Sequence, residues 1–94
     1  MISLEKYIIR DSEAIWRMLD DEAFIIDRAG GEIFALNKTA AYIWEMAEEN
    51  IAISKILKSI CNRFDIDEKT ALDDITELIS EMLEKQIISL NDQP

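Results

Sequence analysis

The chain has no histidine, a single cysteine (Cys61), one proline and two glycines among its 94 residues. Without histidine there is no imidazole base and no plausible zinc or haem site, and one cysteine cannot form an intrachain disulfide. Cys61 falls on the apolar row of a predicted helix, where a thiol behaves as a small buried hydrophobe with no base to activate it. Basic residues are also few. There are 10 Lys plus Arg against 20 Asp plus Glu, a formal net charge of −10, and the cations are scattered along the chain. Nucleic acid needs clustered cations that displace counterions, so it is an unfavourable partner, as is an anionic membrane. The same field attracts a basic peptide or the basic face of a partner enzyme. No segment approaches the ~20 consecutive apolar residues of a membrane span. The first ten residues lack the features of a signal peptide, which makes the cytoplasm the expected compartment. No metal and no cofactor is expected.

What the chain does contain is apolar material for a core, 49% of its residues, in a length suited to one domain spanning residues 1–94. Residues 1–12 read as an N-terminal extension with a short extended segment at Tyr7, Ile8 and Ile9. A β-rich run from Ala14 to Leu19 ends at Asp20-Asp21, a two-residue loop of the kind that closes hairpins, and a second strand follows from Glu22 to Asp27. Arg28-Ala29-Gly30-Gly31 then supplies a loop with two residues tolerant of positive φ, and a third strand runs from Glu32 to Leu36. Asn37 is placed to cap the helix that follows, where apolar residues recur at helical spacing at Ala40, Ile43, Trp44 and Ala47 until a stop near Glu49-Asn50. Ile53, Ile56, Leu57, Ile60, Cys61 and Phe64 repeat the spacing in a second helix. Asp67 caps a third, from about Glu68 to Lys85. Ile87, Ile88 and Leu90 form a short closing strand or packed tail, and residues 91–94 are frayed. The fold class is α+β: a three-stranded antiparallel meander followed by a three-helix bundle, in a winged-helix-like outline.

The third helix carries two apolar rows, Ala71, Ile75, Leu78 and Met82, and Leu72, Thr76, Ile79 and Leu83. One row suffices for a small core, so the second is expected to border a groove. The adjacent carboxylates Asp20-Asp21, Glu48-Glu49 and Asp73-Asp74 are solvated surface, because sequence neighbours on a helix do not converge on a desolvated cleft. Asp65-Ile66-Asp67-Glu68 lacks the glycine and spaced glutamate of a calcium loop and reads as helix capping. There is no phosphate loop, dinucleotide fingerprint or nucleophile elbow. A DNA-binding winged helix fits the outline, yet the third helix bears Asp67, Glu68, Asp73, Asp74, Glu77, Glu81 and Glu84 against Lys69 and Lys85. A carrier protein would need its phosphopantetheine serine at a helix start, whereas Ser12 precedes a strand. Two readings stay open for the short apolar edge of the third strand: a covered or tolerated edge, and a docking site for an extended peptide.

The stretch Gly31-Glu32-Ile33-Phe34-Ala35-Leu36-Asn37-Lys38-Thr39-Ala40-Ala41-Tyr42-Ile43-Trp44 resembles the strand and helix of the PqqD-like family, the RiPP recognition elements. Phe64-Asp65-Ile66-Asp67 and the run from Asp74 to Lys85 extend the resemblance, which covers roughly residues 8 to 90. It departs at Gln86, where the family usually has the glycine that ends a helix in the left-handed region. The resemblance implies a non-catalytic domain that binds the leader of a ribosomally made precursor peptide by strand addition. Glu32, Ile33, Phe34, Ala35 and Leu36 would present the edge, and Lys69, Leu72, Ile75, Thr76, Ile79 and Leu83 of the third helix the other wall. It implies a stand-alone form acting in trans with a radical SAM protein, a leader peptidase or a cyclase. The competing class is an acidic adaptor that meets a folded protein without binding a peptide strand.

Overall fold

A computed structural model describes residues 3–26 and 31–93; Asp27, the expected end of the second strand, and most of the loop that follows it, Arg28-Ala29-Gly30, lie outside the described residues. The elements are β1 (Tyr7–Arg10), β2 (Ile15–Leu19), β3 (Glu22–Ile26), β4 (Ile33–Leu36), α1 (Lys38–Met46) with a 3-10 turn at Ala47–Glu49, α2 (Ile53–Phe64), α3 (Glu68–Glu84) and β5 (Ile88–Asn91). The α+β expectation holds, with β2, β3 and β4 forming the antiparallel meander and three helices after it. Alternation explains the sheet. Met18, Ala23, Ile25, Phe34 and Leu36 turn towards the helices, and their neighbours in each strand turn away. Asp20, at φ 57°, takes the left-handed position that lets Leu19 and Glu22 pair across the loop.

Helix ends follow from local chemistry. The Asn37 side chain accepts a hydrogen bond from the Ala40 amide at 2.9 Å and so starts α1 where β4 stops. Asp67 starts α3, accepting from the Thr70 amide at 3.1 Å and from the Thr70 hydroxyl at 2.8 Å. These two bonds, the hydroxyl first, hold the Asp67 carboxyl below its ordinary pKa. α2 has no side-chain cap, because Ala52 stands at that position. Its first amides are satisfied from the N-terminal segment instead: Ile53 donates to the Lys6 carbonyl at 3.0 Å and Ser54 to the Leu4 carbonyl at 2.8 Å.

That segment is therefore more than an extension. β1 pairs antiparallel with β5 in a second, two-stranded sheet, from Tyr7 opposite Asn91 to Arg10 opposite Ile88. Asn91, expected in a frayed tail, is the last residue of β5. The turn that brings β5 back is made at Gln86, φ 60°. The Gln86 amide donates to the Leu83 carbonyl at 3.1 Å and the Ile87 amide to the Met82 carbonyl at 3.0 Å, the paired bonds of a Schellman ending. Ile87 and Met82 are buried together beneath it. The helix thus exits as a glycine would direct, with glutamine bearing the left-handed strain.

The main core holds Ile25, Leu36, Ile43, Trp44, Ile53, Ile56, Ile60, Ile75, Ile79 and Met82. Replacing Gln86 by glycine should stabilise the protein by about 1 kcal/mol, since the left-handed penalty of ~1–2 kcal/mol is relieved against a smaller entropic cost; urea unfolding measures it, and a loss of stability would contradict the strained exit. The Asp67 cap makes a second prediction. Because its folded pKa lies below the unfolded one, its contribution is complete above the unfolded value and is withdrawn as pH falls through the folded value. A carboxyl NMR titration should place the Asp67 midpoint below the ordinary aspartate value of about 3.9, and Thr70→Ala should move it upwards.

Candidate peptide groove

β4 ends the order β2-β3-β4, so among the described residues one side of its backbone has no strand partner. Phe34 is half-buried and Leu36 buried, while Ile33 and Ala35 are exposed on the opposite face. α3 runs past this edge in the opposite sense. At the start of β4, Glu32 Oε2 meets Lys85 Nζ from the C-terminal end of α3 at 3.0 Å. Past the end of β4, a cleft of about 270 Å³ opens between the first turns of α1 and the middle of α3. Asn37, Thr39, Ala40 and Ile43 line one side of it, and Asp74, Glu77, Leu78 and Glu81 the other.

Its floor is apolar, half-buried Leu78 with the buried Ala40 and Ile43 behind it, and its rim is anionic. Asp74, Glu77 and Glu81 are exposed, and none of them forms an ion pair within the described residues. Nothing there resembles a catalytic constellation. Among the described residues no group of three or more His, Cys, Asp or Glu is disposed to hold a metal, and no helix is long and apolar enough to cross a membrane. A larger concavity, about 550 Å³, lies beside β1 and is lined in part by Arg10, Asp11, Ser12 and Glu48. The Arg10 charge there is already engaged by Glu48 at 2.8 Å.

The expected wall of α3 is corrected by this geometry. Ile75 and Ile79 are fully buried, with 0% exposure, and belong to the core rather than to a peptide-facing surface. Leu72, Thr76 and Leu83 are half-buried, and Lys69 is exposed in the first turn. At about 100° per residue, Leu72, Thr76 and Leu83 fall on one flank of the buried stripe and Asp74, Leu78, Glu81 and Lys85 on the other. It is the second flank that meets Glu32 and Asn37. Periodicity alone puts Leu78 in the core row and leaves the carboxylates beside it as bland solvated surface. The recurrence of Asp74, Leu78, Glu81 and Lys85 is the signal that distinguishes this flank, a single leucine framed by charge at helical spacing.

None of the curated proteins matches the chain. One solved structure, described as "TbiB1 in Complex with the TbiA(beta) Leader Peptide", superposes with a TM-score of 0.78 at 21% identity, covering 86% of this chain and 94% of that one. It shares the fold. The family model for coenzyme PQQ synthesis protein D (PqqD) matches residues 22–88, from the first residue of β3 to the first of β5. With that match running through β4, the Asn37 cap and all three helices, the chain belongs to the PqqD-like family of RiPP recognition elements.

Proposed function

We propose that the chain binds the leader segment of a ribosomally made precursor peptide as an added strand on β4 and presents it, without catalysis of its own, to a modifying enzyme acting in trans. The observation that carries this reading is the unpartnered β4 edge set beside a cleft with an apolar floor. Membership of the family supports it, as does the leader peptide with which TbiB1, a protein of the same fold, forms its complex.

The energetics require both parts. A few edge hydrogen bonds at roughly 0.5–1.5 kcal/mol each do not reach the ~8 kcal/mol of a micromolar complex once the peptide has been ordered. One or two apolar side chains seated against Ala40, Ile43 and Leu78, at roughly 1.5–3 kcal/mol each, close the gap. Affinity then comes from edge and floor together, and sequence preference from the floor and its rim. The carboxylates of Asp74, Glu77 and Glu81 favour a leader with Lys or Arg next to its apolar anchor. They also oppose DNA, whose phosphates the same face would repel.

Titration with the leader of a precursor encoded beside this chain should shift amides of Ile33–Leu36 and of residues around Leu78; shifts confined to β1 and β5 would refute the groove. Leu78→Ala should weaken the leader complex roughly tenfold, about 1.4 kcal/mol, in fluorescence polarisation. Leu72→Ala, on the opposite flank, should leave the affinity unchanged. Raising the salt concentration should weaken binding of a basic leader through the rim and leave a residual apolar affinity.

A further inference from the structure

The outward face of the meander is apolar as well. The register places Ile15 opposite Ile26 and Ile26 opposite Ile33, so the three isoleucines form one row across β2, β3 and β4. They are 62%, 40% and 69% exposed. Phe24 stands in the parallel row between Arg17 and Ala35, and Leu19 lies exposed near the turn. The solvent face of an antiparallel sheet ordinarily alternates to polar residues. Here both faces are apolar, the helices cover only one, and no described residue covers the other. Continuous exposed apolar surface of this kind marks an interaction site.

Two occupants are disfavoured. A second copy would bring another net charge of −10 against the first. An extended peptide needs backbone partners, which a sheet offers at its edge and not on its face. Resting on the leader-binding reading, we infer that this face docks the enzyme that modifies the bound peptide. The docking patch on that enzyme is apolar at its centre, basic where it meets Asp20, Asp21 and Glu22, and carries an acidic group for Arg17. β4 joins the two functions. Its edge backbone takes the leader while Ile33 and Ala35 on the same strand face the enzyme, which puts the bound leader at the margin of the docked enzyme.

The test uses the full chain, a fluorescent leader and the modifying enzyme encoded beside this gene that accepts the same precursor. Ile15→Lys lies on β2, the strand farthest from β4 in the sheet, and replaces a side chain already largely in solvent. It should weaken enzyme binding at least tenfold by calorimetry while leader affinity and thermal unfolding stay as in the unaltered chain. Enzyme binding within twofold of the unaltered chain overturns the inference, as does an enzyme that fails to bind a chain that does bind leader. Sedimentation showing a dimer of the unaltered chain that Ile15→Lys splits would assign the face to a second copy and overturn it too. Failure of the unaltered chain to bind leader at all is a separate result and removes the leader-binding reading itself.

Discussion

The two sheets share no strand; both pack on one apolar core with the helices, and the guanidinium of Arg10 is the polar group that bridges them. It lies 5.0 Å from the ring centre of Trp16 on β2 and 4.9 Å from that of Trp44 on α1, while the two indoles meet edge to face at 5.9 Å. The same group donates to the Trp44 carbonyl at 3.3 Å and pairs with Glu48. A planar cation can stack and donate at once, which an ammonium cannot reproduce. One side chain from β1 thereby ties the β1–β5 sheet to the meander, to α1 and to the 3-10 turn. The Arg10 side chain is only 14% exposed but Glu48 is 70% exposed, so the ion pair itself is screened by solvent and the stacking on the two indoles is the better protected part of the contact. Against this gain stands Trp44 Nε1, buried without a hydrogen-bond partner among the described residues, at a cost of about 1–3 kcal/mol.

The groove is a by-product of that arrangement. With Trp44 fixed on α1 and Asn37 fixed at its start, β4 and α1 keep a set angle, and α3 packs its buried stripe of Ala71, Ile75, Ile79 and Met82 beneath them. The residues of α3 on the flank of the stripe that carries Asp74, Leu78, Glu81 and Lys85 then face the β4 side whatever their chemistry. A leucine there becomes floor, and a carboxylate becomes rim. Nothing in this arrangement calls for a reactive side chain.

Much of the fold is legible in the sequence because it rests on short-range rules. Alternation marks the three strands of the meander, Asp20-Asp21 the hairpin, and Asn37 and Asp67 the helix starts, whereas Gln86, standing where a glycine would announce the end of the third helix, conceals it. The flank of α3 is not legible. Leu72 and Leu83 on one side of the stripe and Leu78 on the other are equally apolar as letters, and only the neighbours that tertiary packing supplies distinguish wall from outskirts. Greater apolarity points to the flank away from Glu32 and Asn37. The β1–β5 pair is hidden for a related reason: each strand alone is four residues long and carries no turn signal linking it to the other, since they meet only after the whole chain has folded between them.

The Schellman exit at Gln86 has a topological consequence. By returning the chain as β5 beside β1, it sets Tyr7 against Asn91 and lets Lys6 Nζ hold Asp92 Oδ1 at 2.7 Å. The two ends of the described chain are therefore neighbours, on a sheet that contributes no residue to the cleft beside β4. A fold whose described ends adjoin away from this cleft is open to circular permutation and to insertion into a larger polypeptide through a short pair of linkers.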